Sequence, residues 1–137
     1  MKKIMFIDDD EIHLAIAENA LKDTYEIITA ESGREALDKI IQGFFPDLIF
    51  LDIVMPNMDG WETYNRIRAI SLLDSIPIVF LTSVQDDSVK ELALEKGAVD
   101  YIVKPFERKE IINRIELILS RPDNKPNINA MGLRKSA

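Results

Sequence analysis

Four groups of side chains have types and spacing that suit chemistry on a phosphoryl group. Asp8, Asp9, Asp10 and Glu11 form an acidic run directly after the apolar stretch Ile4–Ile7. Asp52 closes a second apolar stretch, Leu48–Leu51. Thr82-Ser83 and Lys104-Pro105 close two more, Ile78–Leu81 and Tyr101–Val103. If the acids converge they repel: two unit charges ~4 Å apart cost between ~1 kcal/mol in water and ~4 kcal/mol at an intermediate dielectric. Either some take up protons or a cation sits among them. An all-oxygen set suits Mg²⁺, which keeps several waters and is typically shared with a substrate phosphate. Phosphoryl transfer then needs an in-line nucleophile and donors for the equatorial oxygens. A carboxylate can itself be that nucleophile, giving an aspartyl phosphate. Lys104 would pair with the incoming phosphoryl charge, and Thr82 would donate a hydrogen bond to one of its oxygens.

Convergence depends on the elements that carry these residues. The apolar runs are short, rich in β-branched and aromatic residues, and nearly unbroken, which predicts strands buried on both faces. A weaker run, Tyr25–Thr29, predicts another strand. Helical patterns lie between them. The first runs from about Glu11 to Lys22. Ser32-Gly33-Arg34-Glu35 is a capping box with Ala36, Leu37, Ile40 and Ile41 as the apolar stripe behind it. Asp59 caps a helix whose inward side includes Tyr64, Ile67 and Ile70. A further helix runs from about Asp86, with Val89, Leu92 and Ala93 inward, to Gly97, which suits a C-terminal cap. The last carries Ile111, Ile115 and Ile118 and ends before Pro122. Five strands alternating with five helices predict an α/β fold, a parallel sheet covered on both faces. Ligands of open sheets bind beyond the carboxyl ends of the strands. Each of the chemical residues above closes a strand, so all are delivered to one rim.

Composition narrows the chemistry further. Within 137 residues there is no cysteine and one histidine, His13. Disulfides, thiol catalysis and cysteine-ligated zinc are excluded, and histidine-based sites have little to work with. The chain carries 17 basic and 24 acidic side chains, a net of -7. Residues 121–137 hold four basic groups (Arg121, Lys125, Arg134, Lys135) against Asp123; residues 1–120 therefore hold 13 against 23, or -10. Such a body repels nucleic acid. The apolar runs are too short to span a membrane or to serve as a secretory signal, which predicts a cytoplasmic protein. Length predicts one domain over residues 1–120. The segment 121–137, with Pro122, Pro126, several asparagines and a basic excess, lacks periodicity and reads as a flexible tail or linker stub. The expectation is a stand-alone unit or a fragment of a longer protein.

The motifs taken together resemble the receiver domain of two-component response regulators, over residues 2–120 and without an obvious gap. They are Ile7-Asp8-Asp9, Leu51-Asp52-Ile53-Val54-Met55-Pro56, Met58-Asp59-Gly60, Leu81-Thr82-Ser83 and Gly97-Ala98. Asp100-Tyr101-Ile102-Val103-Lys104-Pro105-Phe106 completes the set. The resemblance implies a flavodoxin-like, three-layer α/β/α fold with strand order 2-1-3-4-5. It implies that Asp52 accepts the phosphoryl group and that Asp8, Asp9, Asp52 and the backbone carbonyl of Val54 hold Mg²⁺. Thr82 and Lys104 match the residues that respond to the phosphoryl group. Tyr101 matches an aromatic switch whose ring turns inward when Thr82 moves. A cis peptide at Lys104–Pro105 is also implied. The implied donor is a sensor histidine kinase or a histidine phosphotransfer protein, and the output is binding of a downstream protein. The face for it comprises the fourth helix, fifth strand and fifth helix, including Lys90, Glu91, Glu95, Tyr101 and Lys109. A homodimer on activation fits this scheme. The chain would be no enzyme beyond catalysing its own phosphorylation and dephosphorylation. Val54 and Val84 stand two residues after the acceptor and two after the threonine; neither can hydrogen-bond an attacking water, which predicts a long-lived phosphoryl group.

Other readings stand beside this one. Asp8–Asp10 could be only an acidic helix start, and Asp10 itself reads as a cap rather than a ligand. Phe6-Ile7-Asp8-Asp9-Asp10 also fits the Asp-x-Asp strand end of haloacid-dehalogenase-like phosphatases, which leaves Asp52 and Met55-Pro56 unexplained. A phosphorylation-independent receiver-like scaffold is a third reading. Leu48–Asp52 resembles a nucleotide-hydrolase metal strand, but no glycine-rich phosphate loop exists. Asn57-Met58-Asp59-Gly60 lacks the acids of a calcium loop. His13 reads as a surface or packing residue, Trp61 as helix packing near the site. Tyr101 could be an edge-strand aromatic.

Overall fold

The computed structural model describes residues 1–121. The predicted tail, residues 121–137, lies outside the described residues except for Arg121. The elements in chain order are β1 (Lys3–Ile7), α1 (Glu11–Leu21), β2 (Glu26–Ala30), α2 (Gly33–Ile41), β3 (Leu48–Leu51) and α3 (Gly60–Arg68). A 3₁₀ turn (Ser71–Leu73), β4 (Ile78–Thr82), α4 (Asp87–Glu95), β5 (Asp100–Val103) and α5 (Arg108–Leu119) follow. The strands form one parallel sheet in the order β2-β1-β3-β4-β5, the flavodoxin-like arrangement.

The alternation of side chains along each strand divides the interior into two layers. Met5, Ile7, Ile49, Leu51, Ile78 and Phe80 face α2, α3 and α4, meeting Ile40, Tyr64, Ile67 and Ala93. Ile4, Phe6, Leu48, Phe50, Val79, Leu81 and Ile102 face α1 and α5, meeting Leu14, Leu21, Ile111 and Ile115. Because both faces are covered, the strands read as continuous apolar runs. Two residues expected inside are outside. Ile41 is exposed as the final residue of α2, where the helix has turned past its inward stripe. Leu92 is exposed because α4 buries a narrower strip, carried by Ala93 with Val89 packed beside it.

Helix starts follow the local chemistry. The Asp10 side chain caps α1, Ser32 caps α2, Asp59 caps α3 and Asp86 caps α4. Each accepts from backbone N–H groups that the first turn leaves free. Ser32 Oγ accepts from the Glu35 N–H, one half of the expected capping box, but the Glu35 carboxylate reaches one residue further back and accepts from the Glu31 N–H. That bond, ahead of the neighbouring Lys39, draws the Glu35 carboxyl below its ordinary range.

Candidate functional site at the carboxyl rim of the sheet

Register places the acids side by side. Ile7 pairs with Leu51, so the residues that follow, Asp8 and Asp52, leave adjacent strands at one level. The ladder extends one step beyond both strands: the Asp8 N–H donates to Ala30 O at 3.0 Å and the Asp52 N–H to Ile7 O at 3.0 Å. Both backbones therefore continue the strand ladder. Continuing the alternation by one residue puts Asp8 and Asp52 on the α1/α5 side, above the stacked rings of Phe6 and Phe50 (centroids 4.7 Å apart). Lys104 follows Ile102 onto that same side. Thr82 follows Phe80 onto the other side, the one that Tyr101 shares.

The side chains converge. One oxygen each from Asp8, Asp9 and Asp52 lies within 4.8 Å of the other two. Asp8 and Asp52 are buried and Asp9 is exposed. Lys104 Nζ donates to Asp8 Oδ2 and, at 3.1 Å, to Asp52 Oδ2. The remaining oxygens are tied to backbone: Asp8 Oδ1 accepts from Asp10 N–H at 3.0 Å, Asp52 Oδ1 from Ile53 N–H at 2.7 Å. One ammonium thus bridges two carboxylates, and the donor set left facing the rim is all oxygen. That chemistry fits a hard divalent cation. Val54, the other expected contributor, is 64% exposed in the loop after Asp52.

That loop is held against Asp52 by α3. The Gly60 N–H donates to Ile53 O at 2.8 Å. A Cβ at Gly60 would stand 2.2 Å from Asp52 O and 2.6 Å from Ile53 Cα, so only glycine lets the helix start here. Asn57 takes the left-handed conformation (φ 65°), which asparagine tolerates better than most residues.

Thr82 is fully buried, and its Oγ1 accepts from Val84 N–H at 3.4 Å. The Lys104 N–H donates to Thr82 O at 2.8 Å, joining the two strand ends. The Lys104–Pro105 peptide is cis. Tyr101 does not lie on the outer face with Lys90, Glu91, Glu95 and Lys109, which are exposed. Its ring is already inward, 5% exposed, and its hydroxyl donates to Val84 O at 2.8 Å. Burial raises the Tyr101 phenol above its ordinary range, with the charges of Asp86 and Asp52 adding to the shift. Trp61 packs on Phe80 (centroids 5.1 Å apart), as a packing residue should.

His13 is the residue that sequence reasoning missed. The structure puts its Nδ1 2.9 Å from Lys104 Nζ and 3.4 Å from Asp8 Oδ2. The available signal was positional. Asp10 caps α1, so a side chain three residues later lies over the same end of the helix.

A doubly wound sheet whose strand ends carry three acids, a threonine and a lysine defines the class: a receiver-type α/β domain. The chain belongs to the response regulator receiver domain family, whose model matches residues 4–116. It is 39% identical over 123 residues to the alkaline phosphatase synthesis transcriptional regulatory protein PhoP of Bacillus subtilis, covering 89% of this chain and 50% of that one. It is 41% identical over 124 residues to the probable transcriptional regulator ycf27 of Cyanophora paradoxa, covering 90% and 50%. The chain thus spans about half the length of these curated relatives. Among solved structures, a putative response regulator from Chloroflexus aurantiacus superposes with a TM-score of 0.80 at 36% identity, covering 88% of this chain and 98% of that one. The chemotaxis protein CheY4 of Vibrio cholerae gives 0.79 at 32% identity, covering 85% and 98%. Among the described residues no helix is long and apolar enough to cross a membrane.

Proposed function

We propose that the chain is a phospho-accepting receiver in which Asp52 takes a phosphoryl group from a phosphohistidine on a sensor kinase or phosphotransfer protein. The observation that carries this is the Asp52 carboxylate itself: buried, anchored through Oδ1 to Ile53 N–H, and met at Oδ2 by the Lys104 ammonium. One Asp52 oxygen forms the new O–P bond as the donor's N–P bond breaks. The electron pair stays on the donor's imidazole nitrogen. Lys104 is placed to follow the charge onto the phosphoryl oxygens. Thr82, buried behind the acceptor, supplies a hydroxyl donor to one of them. Asp8, Asp9 and Asp52, with the Val54 carbonyl, are the residues that would hold Mg²⁺. When bound, that ion supplies charge neutralisation for the transfer. The protein catalyses only its own phosphorylation and dephosphorylation.

The output is a change in the surface of α4, β5 and α5. Phosphorylation biases a two-state equilibrium there, changing affinity for a downstream protein or a second copy of the chain. Two contacts support a path to that surface: Tyr101 holds the carbonyl of Val84 just before α4, and the Thr82 backbone is bonded to Lys104. Work in the cytoplasm follows from this pairing with a kinase. The test is a reaction with acetyl phosphate and Mg²⁺, read by intact mass. The expected result is one phosphoryl group on the wild type and none on Asp52→Asn. Equal labelling of the two proteins, or survival of labelling in Asp52→Asn with loss in Asp8→Asn, would overturn the assignment.

A further inference from the structure

The ammonium of Lys104 has three N–H donors and no acceptor. The structure offers it three acceptors: Asp8 Oδ2, Asp52 Oδ2 at 3.1 Å and His13 Nδ1 at 2.9 Å. Each hydrogen thus has its own partner. The lysine side chain is 10% exposed, whereas that of His13 is 43% exposed, so the imidazole forms the outer wall of the lysine's seat. Since the ammonium can only donate, a hydrogen bond between them uses the tautomer in which Nδ1 accepts and Nε2 carries the proton; the same Nδ1 lies 3.4 Å from Asp8 Oδ2. Nε2 is 3.5 Å from Asp10 Oδ2, the residue capping the same helix. The side chain is thereby oriented from behind by its own helix start.

We propose that His13 is a positioning residue for Lys104, keeping the ammonium aimed at Asp52 during phosphoryl transfer. The inference rests on the phospho-acceptor reading above. Without the imidazole the third N–H turns to water, and a flexible four-carbon stem has only carboxylates to hold its head. Those carboxylates are the groups whose charge is redistributed when the phosphoryl group arrives. His13 is not one of those carboxylates, so its hold on Lys104 persists through that change. His13 does not touch the reacting atoms, and its role is exerted through the lysine.

The histidine ring also provides a discriminating test. The Oδ1 of asparagine sits at the same bond distance from the backbone as Nδ1, whereas glutamine reproduces Nε2. The position is on the outer side of a capped helix, so His13→Leu keeps the fold, and the Asn/Gln pair holds even if it does not. Initial rates with acetyl phosphate and Mg²⁺ should fall about ten-fold in His13→Leu and His13→Gln, the scale of one hydrogen bond to a charged group. His13→Asn should restore most of the rate. A second readout uses metal-free protein with isotope-labelled lysine nitrogen. The Lys104 ammonium hydrogens should exchange slowly in the wild type and His13→Asn, and fast in the other two. Wild-type rates in His13→Leu, or an asparagine variant as slow as the leucine one, would overturn this role while leaving Asp52 as acceptor. Failure of the wild type to label at all would instead overturn the phospho-acceptor reading and this inference with it.

Discussion

Replacing Gly60 by alanine sets two effects of opposite sign against each other. Alanine is the better helix former, by ~1 kcal/mol in a helix interior. A generic expectation is therefore stabilisation of α3. The structure says the reverse. The new Cβ would stand 2.2 Å from Asp52 O, 2.6 Å from Ile53 Cα and 3.0 Å from Asp52 C. All three are backbone atoms, and the Asp52 backbone is bonded into the sheet through Ile7 O at 3.0 Å, so no side chain can swing away to relieve the contact. Either the start of α3 or the Asp52 segment must move by roughly 1 Å. Overpacking of this kind costs ~1–3 kcal/mol. Moving α3 also breaks the 2.8 Å bond from Gly60 N–H to Ile53 O, a further ~1 kcal/mol. Set against the helix gain, Gly60→Ala should lose about 1–3 kcal/mol and lower Tm by roughly 4–12 °C for a domain of this size. Thermal unfolding by circular dichroism measures the first effect. Labelling by acetyl phosphate measures the second, since the displaced segment carries Asp52, and the rate should fall with stability. Gly43→Ala is the comparison. Nothing lies within 4 Å of a Cβ there, and only its φ of +103° resists the change. It should cost ~1–2 kcal/mol with no effect on labelling. If Gly60→Ala melts within about 2 °C of the wild type and labels at the same rate, the argument from close approach is wrong.

Two further outcomes are expected. Tyr101→Phe removes the hydroxyl that donates to Val84 O at 2.8 Å and should cost ~1 kcal/mol. Because the folded protein holds the Tyr101 proton more tightly than the unfolded chain, stability linked to it is present below the ordinary phenol range and lost as pH rises through the raised value. Tyr25 is raised in the same direction by burial, so the variant should weaken the alkaline loss without abolishing it; equal pH slopes in variant and wild type would refute the contribution. The phosphoryl group should be long-lived, because the side chains at Val54 and Val84 offer an attacking water no donor or acceptor. Release of radiolabel from purified phosphoprotein checks this, and loss within seconds would exclude it.

Much of this site was legible because parallel sheets advertise themselves. Runs such as Leu48–Leu51 and Ile78–Leu81 are apolar at every position, so their ends are sharp and the residues closing them stand out. The weaker second strand was less exact: the run Tyr25–Thr29 became Glu26–Ala30, since an edge strand with partly exposed residues has softer limits. Inward faces of helices were legible only where the stripe was wide. Ile41 and Leu92 were misplaced because a one-residue turn of 100° moves a side chain from core to solvent, and apolar character alone does not report that angle. His13 was missed for a different reason. Its role depends on a lysine 91 positions away, and no local pattern encodes the meeting of α1 with the end of β5.

The negative charge of residues 1–120 changes meaning once the rim is described. A net of -10 suggests repulsion spread over a surface, yet Asp8 and Asp52 are buried, together, and bridged by one ammonium. Under the proposed phosphorylation of Asp52, strand alternation would give the new charge a short route to α4. Asp8, Asp52 and Lys104 emerge on the α1/α5 side, while Thr82 and Tyr101 emerge on the side of α4. Tyr101 lies three residues before Lys104, Thr82 pairs with the intervening Val103, and the Lys104 N–H to Thr82 O bond ties the two sets at 2.8 Å. A change of charge at Asp52 therefore needs no long route to α4: it has only to cross the thickness of one sheet, through backbone already fixed by hydrogen bonds.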